Sequence, residues 1–374
     1  MNRFLSSPRT VLNGALASAV VLGLLTGTQA FAASRDEIVV TSTREAVSQF
    51  DLAESTGVIT SAEIDSLHPT HPADLLERVP GVHLVWLGGD HHTTAIRQPI
   101  NFNPVYLYLE NGVPTRSTGF FETNALFDVN LPQARRIEIT KGPGTALYGS
   151  DAIAGIINVL TPLPPEEDGV VTGNASFQAS TREYYQGLVS LAGRTGKHGL
   201  RADVNAVYDD GWRDNTESDR QLGTFTWTID ATDNLSIQNV LMLANVDQDS
   251  SGSNLSRDDW RNNPKRNETP ISFRLVDSAR FHSIIEYRDG PQLFSITPFF
   301  RYNRVRLLPF FALGFDPHYE DIEATSLGAQ AKYRRDFGED FRLIAGFDVD
   351  YSWGDRLDIA IDPIFEDGIA VDFT

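Results

Sequence analysis

Residues 131–161 read LPQARRIEITKGPGTALYGSDAIAGIINVLT, and the fold turns on how this stretch is parsed. Arg136 to Thr140 and Gly155 to Leu160 are β-branched runs of strand length. Gly142-Pro143-Gly144 forces a turn after the first, while Gly149 and Gly155 let backbones approach closely. Gly144 and Gly149 have the spacing of a phosphate-binding loop, but Ser150-Asp151 stands where that loop needs Lys followed by Ser or Thr. Upstream, short strands and helices alternate. Val58 to Thr60 is extended, Ser61 caps a helix over Ala62 to Leu67, and Pro72 opens another over Ala73 to Val79 that Pro80-Gly81 ends. Val105 to Leu109 is a strand closed by the turn pair Asn111-Gly112. Residues 57–161 are therefore expected to form one α+β domain.

Downstream the pattern changes. Pro162, Pro164 and Pro165 with Glu166, Glu167 and Asp168 mark a linker over residues 162–168. From residue 169 the period is two: Leu200, Ala202, Val204, Ala206 and Tyr208 share a face opposite Arg201, Asp203 and Asn205. Phe341, Leu343, Ala345, Phe347, Val349 and Tyr351 repeat it, as do the runs 223–229 and 325–333. Tight connections (193–199, 231–234, 289–292, 336–340) alternate with long polar ones (209–219, 247–278, 303–322). Short turns at one end and long loops at the other describe an antiparallel transmembrane β-barrel, with Tyr208, Trp212, Tyr302, Tyr351 and Trp353 placed for an aromatic girdle. A soluble β-sandwich is the competing architecture, without that preference of sides.

The N-terminus reads as a secretory signal over residues 1–32: Arg3 and Arg9, an apolar run from Val11 to Leu25, then Ala30-Phe31-Ala32. Removing its two arginines takes the formal net charge from −19 to −21, which argues against nucleic acid as a partner. The absence of cysteine excludes disulfides and thiolate metal sites. A mean hydropathy of −0.23 is compatible with strands that alternate polar and apolar residues.

The stretch 131–161, together with Ala73 to Val82 (ADLLERVPGV) and Val105 to Pro114 (VYLYLENGVP), closely resembles the plug domain of TonB-dependent outer-membrane receptors, in the family's order. Asp36 to Arg44 (DEIVVTSTR), within the polar segment 33–56, looks like the family's TonB box. A β-branched segment in a flexible context can add to the sheet edge of another protein, here the periplasmic TonB. The resemblance implies TonB contacts at Glu37, Ile38, Val39, Val40, Thr41, Ser42 and Thr43. A first plug strand is the other reading of those residues. Glu138 and Lys141 match charges that in the family bridge plug to barrel wall, with Lys141 where arginine is more usual. The plug's apical loops would then hold His91, His92, Arg97, Gln98, Asn101, Arg116, Phe120 and Phe121, candidates for touching a metal chelate. Loop polarity for solvation alone is the alternative, and Arg97-Gln98-Pro99 departs from the family's arginine-glycine.

The resemblance implies an importer in the outer membrane, in contact with its lipid, that takes up a scarce metal chelate. A ferric siderophore is the first expectation, with haem, cobalamin or another metal complex as alternatives. No nucleophile elbow, zinc pattern or nucleotide fingerprint appears, so neither an enzyme nor a bound cofactor is expected. A passive porin-like channel would need neither plug nor TonB box. A signalling receptor of the family would carry a further N-terminal domain, for which the segment before the plug is too short. The family's barrel has about 22 strands, and Gly169 to Thr374 holds about nine of roughly ten residues each. The chain is thus expected to be the first portion of a longer receptor.

Overall fold

The computed structural model describes residues 38–39, 41, 44–45, 47–86, 92–100, 103–117, 126–251, 255–309, 313, 316–338 and 341–374. The expected signal peptide lies outside these, as do Glu37, Val40, Ser42, Thr43, His91, Asn101, Phe120 and Phe121.

A two-residue pair, β1 (Ile38–Val39) with β2 (Val47–Ser48), precedes the plug. In the plug, β3 (Ser55–Thr60) leads into α1 (Ser61–Leu67) and α2 (Pro72–Leu76). Then follow β4 (Val82–Trp86), β5 (His92–Ile96), β6 (Tyr106–Glu110), β7 (Val113–Pro114), β8 (Arg136–Lys141), α3 (Thr145–Tyr148) and β9 (Gly155–Leu160). Five of these strands form one sheet in the order β3-β8-β9-β6-β7, with β6 parallel to β9, while β4 and β5 pair separately. Leu75, Leu76 and Leu84 from one side meet Ile137, Ile139 and Ile157 of the sheet in the core.

Two helix ends differ from expectation. Thr60, not Ser61, caps α1: its side chain accepts from the Glu63 N–H while Glu63 returns the bond to Thr60 N–H, so Ser61 is already helical. α2 stops at Leu76 rather than Val79, because Arg78 and Val79 donate three residues back, to Leu75 and Leu76, in a tight turn ahead of Pro80. Gly155 is a close-approach position, since a Cβ there would sit 2.8 Å from Ile96 Cδ1 and 3.0 Å from Thr140 O. Gly149 is different: it has space around it, and its φ of +73° ends α3.

The rest is a nine-stranded antiparallel sheet in sequence order. Its strands are β10 (Val171–Ala179), β11 (Tyr184–Thr195), β12 (His198–Asp209), β13 (Ser218–Thr232) and β14 (Leu235–Asp249). After α4 (Arg257–Asn262) come β15 (Phe273–Asp289), β16 (Gln292–Leu308), β17 (His318–Phe337) and β18 (Phe341–Ala360), then the small hairpin β19 (Pro363–Glu366) and β20 (Ile369–Phe373). The sandwich reading fails because this sheet packs on the plug, not on a second large sheet. The alternation is inside-out: on β12 Asp203 and Asn205 are buried while Leu200 and Val204 are exposed, and on β14 Leu241 and Leu243 face out. Apolar residues facing outward and polar ones inward suit a wall with lipid outside and protein inside. Two strand pairs run further than expected: residues 247–249 and 273–278 are strand, as are 303–308 and 318–322. Arg304 and Arg306 resemble loop residues in sequence, but they alternate with buried Asn303, Val305 and Leu307 beyond the apolar band. Trp212 sits in the 210–217 loop, inside the long connection expected over residues 209–219.

Candidate functional site

Two sets of contacts tie the plug to the wall. The first centres on the N-terminal segment. Thr41 is fully buried, its N–H and Oγ1 donating to Glu138 Oε2 at 2.8 and 2.5 Å. Asn158 Nδ2 donates to Thr41 Oγ1 at 3.0 Å, and the Tyr148 hydroxyl donates to Thr41 O at 2.9 Å. Arg44 lies 4.4 Å above the Tyr148 ring and pairs with Asp348 of β18 at 2.6 Å. Glu45 sits between Lys332 and Arg334 of β17, each at 2.7 Å. Burial pushes the Glu45 carboxyl up, but hydrogen bonds from those two cations outweigh it and hold it below the usual carboxylate range. Glu138 also pairs with Arg136 at 2.7 Å, and Lys141 donates to Pro80 O at 3.2 Å. These contacts of Glu138 and Lys141 lie within the plug and its N-terminal segment, where the resemblance implied bridges to the barrel wall.

The plug-to-wall bridges with shown geometry come from other residues. Glu110 ends β6, and Asp128 lies in the turn before β8. From β15, Arg280 Nε reaches Glu110 Oε2 at 2.5 Å, Nη1 reaches Asp128 Oδ2 at 2.7 Å, and Nη2 donates to Asp128 O at 2.8 Å. Arg116 pairs with the other Asp128 oxygen at 3.1 Å. Arg301 of β16 donates to Pro114 O and Arg116 O at 2.9 and 3.1 Å and pairs with Asp350 at 2.5 Å. Burial raises both plug carboxyls. At Asp128 two arginines reverse the effect and its pKa falls; Glu110 has Arg280 and the adverse neighbour Asp128, and its pKa stays raised. Arg116 and Arg274 both stack on Phe127, at 4.2 and 4.4 Å. Neutral bonds extend the seam: Ser117 to Ser326 at 2.5 Å, Gln330 to Gly112 O at 3.1 Å, and Asn205 to Asn130 at 3.3 Å.

The apical candidates are placed differently from expectation. Arg116 is buried in the seam at 5 % exposure rather than offered to a ligand. His92 is buried on β5, its Nε2 accepting from Leu126 N–H at 3.4 Å and its ring edge-on to His71 at 5.5 Å. Arg97, at φ +56°, donates to Ser55 Oγ at 2.7 Å, and Gln98 donates to the Tyr106 hydroxyl at 2.8 Å. Both are exposed. Among the described residues no group of three His, Asp or Glu side chains is arranged to hold a metal ion. Sequence reading missed Glu110, Asp128, Arg280 and Arg301. Their signal was partly present: Arg280 and Arg301 occupy inward positions of wall strands, where a buried guanidinium needs acceptors, found here in plug carboxylates for Arg280 and plug backbone carbonyls for Arg301.

Residues 48–156 match the family model described as the TonB-dependent Receptor Plug Domain. The chain is 34% identical over 171 residues to the vitamin B12 transporter BtuB of Vibrio vulnificus (strain CMCP6), covering 43% of this chain and 28% of that protein. The ferripyoverdine receptor of the outer membrane of Pseudomonas aeruginosa, solved bound to ferripyoverdine, superposes with a TM-score of 0.71 at 15% identity, over 86% of this chain and 45% of that one. The ferric citrate transporter FecA, solved unliganded, gives 0.70 at 17% identity, over 83% and 50%. The chain thus spans at most half the length of these relatives. At such identities the structural likeness speaks for the fold, and the family comes from the plug. Seated on the polar face of an inside-out β-sheet, residues 48–156 of this chain are thus a TonB-dependent receptor plug domain.

Proposed function

We propose that this chain is the plug-bearing portion of an energised importer that carries a scarce metal chelate, in the first place a ferric siderophore, across the outer membrane. The observation that carries the reading is the N-terminal segment. It is strand-forming at Ile38–Val39, adjoins the plug, and is fastened at Thr41, Arg44 and Glu45 by polar contacts. Release of the segment has to break these contacts, and Glu138 keeps its pair with Arg136 when Thr41 leaves. In the proposed cycle the chelate binds the outer loops and the plug's apex. Residues 36–44 are then released into the periplasm, TonB takes them as an added strand, and its pull opens a path beside the plug. The ferric preference is supported by the ferripyoverdine and ferric citrate receptors among the structural neighbours, and cobalamin by the B12 transporter.

The test is uptake of radiolabelled ferric siderophores, haem and cobalamin by the full-length receptor, with and without deletion of residues 37–43. Uptake of one compound only when the segment is present supports the importer and names its cargo. Uptake that survives the deletion favours a passive channel.

A further inference from the structure

The outward face of the wall carries an ordered site near its tight turns. Register aligns three rows across β15, β16 and β17. Asp289, Gln292 and Arg335 form the row nearest the turns. Tyr287, Phe294 and Tyr333 form the next, continued by Ala345 on β18. Ile285, Ile296 and Ala331 form the third, continued by Phe347. The small side chains Ala331 and Ala345, with Gly346, leave an open apolar groove of about 550 Å³ between the larger ones. Its aromatic wall is organised: the Phe294 and Tyr333 rings are 4.7 Å apart, and the Tyr333 hydroxyl donates to Gln292 Oε1 at 3.0 Å. Arg335 points to the same side, since its guanidinium lies 5.0 Å above the outward Phe337 ring. Asp289 and Arg335 are both exposed. They stand two strands apart, roughly 10 Å, and the polar row between them has the amide of Gln292 at its centre.

Lys332 and Arg334, on the opposite face of this stretch of β17, hold Glu45 of the N-terminal segment. The groove is therefore level with the end of the barrel that faces TonB, which places it in the periplasmic leaflet; this step rests on the importer reading.

We infer that this groove seats one zwitterionic phospholipid of the periplasmic leaflet. One acyl chain lies over Ala331 and Ala345, the phosphate meets Arg335, and the headgroup ammonium meets Asp289. Charge complementarity selects the occupant. A cation alone would take any anionic lipid, whereas a carboxylate and a guanidinium flanking one groove match a headgroup carrying both signs. The aromatic row sits between them at the depth where amphipathic rings favour the interface.

The test is native mass spectrometry of the full-length receptor, released from detergent after incubation with phosphatidylethanolamine or phosphatidylglycerol. Three surface variants accompany the wild type: Arg335→Gln, Asp289→Asn, and Ala345→Leu, which fills the groove. The wild type is expected to retain one phosphatidylethanolamine in preference to phosphatidylglycerol. Arg335→Gln should weaken retention about fivefold, the scale of one cation at a lipid surface, Ala345→Leu should also weaken it, and Asp289→Asn should abolish the preference. Equal retention of both lipids by the wild type, or unchanged retention in the variants, overturns the proposal. Asp289→Cys separates this failure from that of the importer reading. Labelling from outside intact cells by an impermeant maleimide puts the groove in the wrong leaflet and overturns both the orientation and the lipid. Protection with unchanged retention overturns the lipid alone.

Discussion

Glu110 and Asp128 carry two carboxylates into a seam that excludes water, a placement sustained by the guanidinium of Arg280. Removing one partner of a buried ion pair costs about 3–5 kcal/mol, because the other charge is left uncompensated. Arg280→Met is therefore expected to loosen the plug's hold on β15, read as a lower urea concentration for plug release in the full-length receptor. Adding Glu110→Gln should recover part of that loss; an unchanged urea midpoint for Arg280→Met would show that the seam does not depend on this pair. His71 gives a pH dependence. Burial, aided by Arg220 and opposed by Asp74, lowers its pKa from 6.5 to about 3, and its Nδ1 accepts the Ala73 N–H at the start of α2. In the fold it stays neutral down to about pH 3, whereas the unfolded imidazole takes a proton below 6.5. The unfolded chain thus binds the extra proton, and plug stability falls as pH drops from 6.5 towards 3, by up to about 1.4 kcal/mol per unit. His71→Asn keeps a capping acceptor and removes the titration, so hydrogen exchange of α2 amides should lose this part of its pH dependence.

At the scale of elements, the barrel strands test the inside-out assignment. Leu241 on β14 faces out between Phe225 and Phe281, within the apolar band, and Asn245 faces out on the same strand near its edge. Leu241→Arg should cost about 2–4 kcal/mol on folding into vesicles, and Asn245→Arg about 0–1. Similar penalties at both positions would contradict the placement of the band. Much of this level was legible in the residues themselves. Glycine and proline punctuation located β3, β6, β8 and β9 of the plug but not β4, β5 or β7, of which β5 lies in a stretch that reads as a polar loop, and period-two patterning gave about nine barrel strands where the sheet has nine. The failures have local causes. Thr60 could not be told from Ser61 as a cap, since both carry a hydroxyl and the choice depends on the Glu63 geometry. The outer ends of β15, β16 and β17 looked like loops because Arg304, Asp321 and Glu323 face solvent rather than lipid there. Arg116 and His92 looked like ligand contacts because one sequence does not reveal which polar residue a tertiary seam will bury. Arg280 and Arg301 were visible as inward charges, but their plug partners lie more than 150 residues away in sequence and no local pattern connects them.

At the scale of the whole molecule, the plug is held in two ways that suit an importer. The seam of Glu110, Asp128, Arg280 and Arg301 is buried and charged, and breaking it is costly. Within residues 36–44 the fastening consists of hydrogen bonds at Thr41 and the Arg44–Asp348 ion pair, which retains solvent access and is worth far less than a buried pair, while Glu45 just beyond is buried between Lys332 and Arg334. A pull on residues 36–44 therefore meets the weaker set first. Energised import requires TonB to take up this segment as a strand, and Val39→Pro removes a backbone donor from it while leaving the plug core and the wall untouched. The direct measurement is the initial rate of chelate uptake by cells carrying the full-length receptor, wild type against Val39→Pro, with surface binding of the chelate recorded alongside. In Val39→Pro, binding is expected to be retained and uptake lost; uptake at the wild-type rate would show that import does not depend on TonB taking the segment as a strand.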